Sequence, residues 1–213
     1  TSFPSKKLPS TLEKLKSRGL EVAFCKDLRS YKKLVPTLCK YPNDIIITAD
    51  DDLIYDINML ENLILAYLEN PNYIYCNRAH KMSLDANGNL KSYNDWIYEC
   101  RDTEAGCLIF PTGGGGVLYP PHSLDSEVLN ETVFMDICKF ADDVWFKAMA
   151  LKKGTKVKRV ETIFSTGCEY LENPSVQDIG LFNINAGSLN RNDEQIKAVF
   201  SRYNLYSLLK DVN

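Results

Sequence analysis

The sequence predicts an α/β fold, a sheet layered with helices, and two observations carry that prediction. Short apolar runs such as Leu20–Cys25 and the β-branched Asp44–Ala49 alternate with stretches whose apolar residues recur at helical spacing. The chain of 213 residues with 45% hydrophobic content is also long enough for one well-buried domain and cramped for two. We therefore read residues 1–213 as a single unit.

The elements follow in order. Pro9, the Leu12/Leu15 pair and Gly19 mark a first helix and its stop. Leu20–Cys25 reads as a strand, and Lys32–Lys40 as a helix whose start is blurred by Pro36. Asp44–Ala49 reads as a buried, parallel strand. Asp56 stands where it can cap a helix with the apolar stripe Ile57, Leu60, Leu63, Ile64, Tyr67 and Leu68, ended by Asn70-Pro71. Tyr73–Asn77 is the next strand. Asp85-Ala86-Asn87-Gly88 is a hairpin-like turn, and four glycines, Gly113–Gly116, separate apolar strands within Leu108–Tyr119. Glu131–Phe140 and Asp142–Lys153 read as helices, with Gly154 stopping the second. Val157–Ile163 is a last strand, Ser165–Arg191 is polar and irregular, and Asn192–Leu209 reads as a terminal helix.

Composition excludes several functions. A net charge of -3 argues against nucleic acid as a partner, because phosphate binding needs concentrated Lys and Arg. The basic runs at Lys6-Lys7, Lys26–Lys33 and Lys152–Arg159 are ordinary solvated faces unless a site draws on them. Seven cysteines without a CxxC pair give neither zinc-site spacing nor a disulfide framework, and read as small apolar residues of a reducing cytoplasm. No signal peptide or membrane-length apolar stretch is visible, so a soluble or peripherally membrane-bound cytoplasmic chain is expected.

Chemistry concentrates at Asp50-Asp51-Asp52, directly after an apolar strand. Adjacent carboxylates repel one another, and a cation relieves them; hard oxygen donors suit Mg²⁺ or Mn²⁺. The plain alternative is a polar loop ahead of the helix near Asp56. The glycines at Gly113–Gly116 permit close backbone approach to a ligand, though no GxxxxGK[ST] is present and a simple turn explains them too. Asp142 and Asp143 open a helix, as a cap or as functional acids. Trp96 and Tyr93 offer a sugar-stacking platform, against the commoner role of core aromatics. His80 and His122 receive no ligand role.

The stretch KKLVPTLCKYPNDIIITADDDLIY (Lys32–Tyr55) resembles the core of the family 2-like bacterial glycosyltransferases of the GT-A superfamily. The resemblance continues through Asn77-Arg78-Ala79-His80, Tyr93-Asn94-Asp95-Trp96, GGGGVLYPP (Gly113–Pro121) and ADDVWFKAMALKKG (Ala141–Gly154). It implies a GT-A-type, Rossmann-like sheet that is mixed but mainly parallel, flanked by helices and lacking the family's first strand–helix unit. It also implies a metal, Mn²⁺ or Mg²⁺, on Asp50 and Asp52 of a DXD motif with Asp51 as its variable middle residue. Donor contacts fall to Lys32 or Lys33, Asp50, Asp51, Gly114 and Gly115, and acceptor contacts to Trp96 and Tyr93. Asp143, or Asp142 beside it, takes the general base's place. The late histidine of many relatives is missing, which leaves its coordination place to water or phosphate.

The expected function is thus metal-dependent, inverting transfer of a sugar from a nucleotide diphosphate, a UDP-sugar foremost, to a glycan or lipid-linked acceptor at the inner face of the membrane. The alternatives are a retaining transferase, a sugar nucleotidyltransferase, or a catalytically silent glycan-binding domain. Fold alone never establishes activity.

Overall fold

The structure, a computed structural model, describes residues 5–161, 164–165, 170–172 and 191–209. Its centre is a four-stranded sheet made of β1 (Ile46–Thr48), β3 (Ile74–Cys76), β6 (Val117–Tyr119) and β7 (Val157–Arg159), in the order β1-β6-β3-β7. Two hairpin-sized sheets accompany it. In one, β2 (Leu53–Tyr55) pairs with β8 (Tyr170–Glu172); in the other, β4 (Ala79–Lys81) pairs with β5 (Ile109–Pro111).

Every residue of β3 and β6 is buried, as strands covered on both faces require. Their side chains alternate between two cores. Tyr75 and Leu118 face α3 (Met59–Glu69), where Met59 and Leu63 meet them. Ile74, Cys76, Val117 and Tyr119 face the larger core built around α5 (Asp142–Lys153), with Trp145, Phe146 and Met149. Nine of the twelve residues of α5 are buried, so it is the central helix of that core rather than a surface helix. α6 (Arg191–Arg202) packs on α5 through Ile196, Val199 and Phe200. α4 (Glu131–Ile137) adds Phe134, and its N-terminus is capped by Asn130, whose Oδ1 accepts from the Val133 amide at 3.3 Å.

The mixed α/β architecture is as expected, and the strand pairing is not. β1 pairs antiparallel with β6, β6 pairs antiparallel with β3, and only β3 with β7 runs parallel among the described residues. The Asp44–Ala49 strand is therefore not parallel to its neighbour, because the short strand after the glycines inserts between β1 and β3 in the opposite direction. Residues 20–28 have no regular structure and Phe24 is 44% exposed, so the strand expected at Leu20–Cys25 does not form. Helix α1 (Ser10–Lys16) starts after Pro9 and buries nothing. The 3-10 turn Arg29–Lys33 precedes α2 (Val35–Lys40), which has Pro36 in its first turn. In α3 the expected stripe is out of phase. Leu63 is buried, while Ile57, Leu60, Ile64 and Leu68 are exposed, because Met59 and Leu63 define the inward face.

The hairpin-like turn at Asp85–Gly88 forms as read: Leu84 bridges Leu90, and Gly88 takes φ 77°. α5 also ends as read, on Gly154 in the left-handed region. Much of the Ser165–Arg191 reading, with the end of the Val157–Ile163 strand, lies outside the described residues. The described part of the former contains β8.

The glycine loop is held by tight packing. A Cβ added at Gly115 would sit 2.4 Å from Cβ of Arg78, whereas one at Gly114 would meet nothing closer than 3.6 Å. Gly115→Ala is expected to cost about 1–3 kcal/mol, a Tm loss of roughly 2–12 °C. Gly114→Ala should leave Tm nearly unchanged. Thermal melts of the two variants check this pair.

Candidate functional site

Three chain segments converge on one half-buried ammonium. Lys33 ends the 3-10 turn Arg29–Lys33, and its Nζ lies 2.7 Å from Oδ1 of Asp50 and 3.5 Å from Oδ2 of Asp142. The Asp50 side chain is only 25% exposed and that of Lys33 only 17%, so the pair is shielded well beyond an ordinary surface ion pair. Asp50 follows β1 and is pinned by its own amide, which donates to the Tyr55 hydroxyl at 2.7 Å. Asp142 and Asp143 open α5, where the helix N-terminus favours negative charge.

The glycine loop closes the site. The Gly113 amide donates to both carboxylate oxygens of Asp143, at 3.2 and 3.1 Å. A Cβ at Gly113 would lie 2.8 Å from Oδ1 of Asp143 and 3.1 Å from Nζ of Lys33, so only glycine lets the loop approach this closely. Gly114 faces the other side of the cluster, where a Cβ would meet Leu53, Asp50 and the Tyr170 hydroxyl within 4.0 Å. Asn77 stitches the loop to the end of β3: its amide donates to the Gly116 carbonyl and its Nδ2 to the Gly115 carbonyl.

One cation thus serves three carboxylates. Burial works against the charge on Lys33, but Asp142, Asp143 and Asp50 outweigh it and hold its pKa above the ordinary lysine range. Asp143 goes the other way. Burial and the neighbouring Asp142 charge push its pKa up to about 7, against the pull of Lys33 and the Gly113 amide. Asp142 Oδ2 is buried and makes no hydrogen bond; at 3.5 Å the Lys33 ammonium is a charge partner only. The arrangement is an acid–base group poised near neutrality beside a carboxylate with an unused lone pair.

Of the residues singled out by sequence, the structure brings together Lys33, Asp50, Gly114, Asp142 and Asp143. Tyr93 belongs at their edge, since burial and then the Asp143 charge raise its phenol pKa, and its amide is fixed by Asp193 of α6 at 2.7 Å. Asp51 and Asp52 sit exposed on the turn between β1 and β2. Lys32 is not at the site: it is exposed and paired with Asp27 at 3.4 Å. Gly115 is glycine to admit Arg78, not a ligand. Trp96 is no platform either. It is 5% exposed, packs on Phe110 and Tyr93, and donates its indole N–H to the Lys91 carbonyl, so its ring faces are spent in the core.

Both histidines are structural. His80 is buried, accepts the Glu99 amide on Nδ1, and has its pKa lowered to about 4 by burial and by Arg78. His122 is exposed beside Asn43. Tyr55 and Tyr119 were missed, and Gly113 was read only as part of the run Gly113–Gly116. The signal for Gly113 was its place at the head of the glycine run; nothing in the sequence pointed to Tyr55. Tyr119 is buried, and the Asp143 and Asp142 charges add to burial in raising its pKa.

Among the described residues no group of three or more His, Cys, Asp or Glu side chains is disposed to hold a metal, and no helix is long and apolar enough to cross a membrane. The described cysteines are all free thiols. No protein-family model, curated protein or solved structure matches this chain.

An acid whose folded pKa exceeds its unfolded value of about 3.9 holds its proton more tightly when folded. The wild type therefore loses stability as pH rises from about 4 through about 7. Asp143→Asn removes that penalty while keeping an acceptor for the Gly113 amide. The variant should melt higher than wild type at pH 8, by about 2–4 °C for each kcal/mol relieved, with the gain gone at pH 4. Melting curves across that range check it.

Proposed function

We propose that the chain is a metal-dependent, inverting glycosyltransferase of the GT-A type, moving a sugar from a nucleotide diphosphate, a UDP-sugar foremost, to a glycan acceptor at the cytoplasmic side of a membrane. The observation that carries the reading is the meeting of Asp50 and the Asp142–Asp143 pair around Lys33, with Asp143 raised to about 7. Residues distant in sequence converge there, and glycines make room for them. The resemblance across Lys32–Tyr55, Gly113–Pro121 and Ala141–Gly154 supplies the reaction class.

The chemistry asks for two things, a stabilised diphosphate leaving group and an acceptor hydroxyl relieved of its proton. Asp143 suits the second. With a pKa near 7 it is substantially ionised at neutral pH, yet far more basic than an ordinary carboxylate. The Gly113 amide orients it, and Lys33 and the helix N-terminus favour its ionised form. Lys33 is a ready partner for phosphate oxygens, and the resemblance gives Lys32 or Lys33 a contact to the nucleotide donor.

The donor set of Asp50 and Asp52 fits a hard cation in kind. Mg²⁺ is commonly held by one or two carboxylates, with phosphate oxygens and water completing its shell, so a third protein ligand is not required. Such an ion would neutralise charge on the departing diphosphate. Lys33 already balances Asp50, so metal and ammonium share that carboxylate or exchange on it.

Two substitutions separate the roles. Asp52→Ala should abolish the Mn²⁺-dependent part of UDP binding by calorimetry. Asp143→Asn should leave that binding intact and lower turnover about 10²–10⁴-fold, the usual worth of a general base. Wild-type turnover should climb with pH to a plateau above about 7. Sugar transfer by Asp143→Asn at the wild-type rate removes Asp143 from the base role, and retention at the anomeric carbon replaces inversion with the alternative mechanism.

A further inference from the structure

Helix α3 is apolar on two faces, and the fold uses one of them. Met59 and Leu63 point at the central sheet and meet Tyr75 and Leu118. The other face presents Leu60, Glu61, Ile64, Leu65 and Leu68, continued at the same spacing by Ile57 in the turn that leads into the helix. All six are exposed, Ile57 by 86% and Leu68 by 68%. Their spacing of i, i+3, i+4, i+7, i+8 and i+11 gathers them into one stripe about 140° wide. A surface helix ordinarily carries its charged residues there; here Glu61 is the one charged member.

The stripe is large for a free surface. Its Ile and Leu residues leave on the order of 600 Å² open, the size of the largest apolar patch on most monomers. Two such faces laid together remove about 1,200 Å² from water, which reaches the range of specific protein interfaces.

The pattern also selects the partner. Positions 57, 60, 61, 64, 65 and 68 map onto themselves when the order is reversed about the midpoint between residues 62 and 63. A two-fold axis there lays α3 antiparallel on its own copy. Ile57 then meets the partner's Leu68, Leu60 meets the partner's Leu65, and Glu61 meets the partner's Ile64. Such a self-complementary patch is what a two-fold contact requires. A membrane surface is the poorer match, because α3 carries Glu61 and Glu69 and no Lys or Arg to attract anionic lipid.

We propose that the outward stripe of α3 is the contact of a homodimer, with two copies of the helix packed antiparallel across a two-fold axis. Glu61 is its weak point, since there the carboxylate loses water against an aliphatic side chain. The contact draws on neither Asp142 nor Asp143, because α3 and α5 cover opposite faces of the sheet. It stands whether or not the chain is a transferase.

Analytical ultracentrifugation of the chain across the micromolar range tests it. Wild type should show a monomer–dimer equilibrium. Glu61→Leu should tighten it about tenfold, while Leu60→Glu combined with Ile64→Glu should give a monomer with an unchanged circular dichroism spectrum. Ile64→Lys should weaken the dimer less than Ile64→Glu, because the lysine meets the partner's Glu61 whereas the glutamate sets like charges together. Wild type and Glu61→Leu that both stay monomeric overturn the proposal, as does a dimer that the double substitution leaves intact. Equal weakening by Ile64→Lys and Ile64→Glu rejects the antiparallel packing. Monomeric wild type that floats with phosphatidylcholine vesicles, through the same residues, assigns the stripe to a lipid surface instead.

Discussion

The site depends on one shielded ammonium placed among three carboxylates. Lys33 is what allows Asp50, Asp142 and Asp143 to approach one another at the meeting of β1, the glycine loop and α5. Removing the ammonium would leave three shielded carboxylates uncompensated, which costs far more than a surface pair is worth. The surrounding architecture makes the meeting possible. Tyr31 clamps the turn that carries Lys33, and Gly113 lets the loop donate to Asp143. α5, buried along most of its length, gives the two aspartates a fixed base.

The same cluster gives neighbouring carboxylates different surroundings. Asp50 keeps the closest contact with Lys33, at 2.7 Å. Asp143 receives its support from an uncharged amide and lies next to the Asp142 charge, so its proton affinity rises.

Local chemistry was the most legible part of the sequence. The strand before Asp50, the turn at Asp85–Gly88, and α5 with its Gly154 stop all follow from patterns confined to a few neighbouring residues. Pairing was not legible. The insertion of β6 between β1 and β3 depends on contacts some seventy residues apart, such as Ile46 with Tyr119, which no local pattern encodes. The segment Leu20–Cys25 has strand-like composition but finds no pairing partner. α3 is apolar on more than one face, so periodicity chose the wrong inward side. At the site, the acids and Lys33 were visible as residue types. Trp96 was misread because a buried aromatic and an exposed platform look alike in sequence, and Gly115 because a glycine making room for Arg78 looks like one making room for a ligand.

The central claim is that Lys33 and the three aspartates form one electrostatic unit. Carbon-13 NMR titration of the aspartate carboxyl groups, in wild type and in Lys33→Met, addresses it directly. The account predicts an Asp143 carboxyl titrating near 7 in wild type and at still higher pH once the ammonium is gone. A carboxyl that titrates near the ordinary aspartate value of about 3.9, unmoved by the substitution, would contradict it.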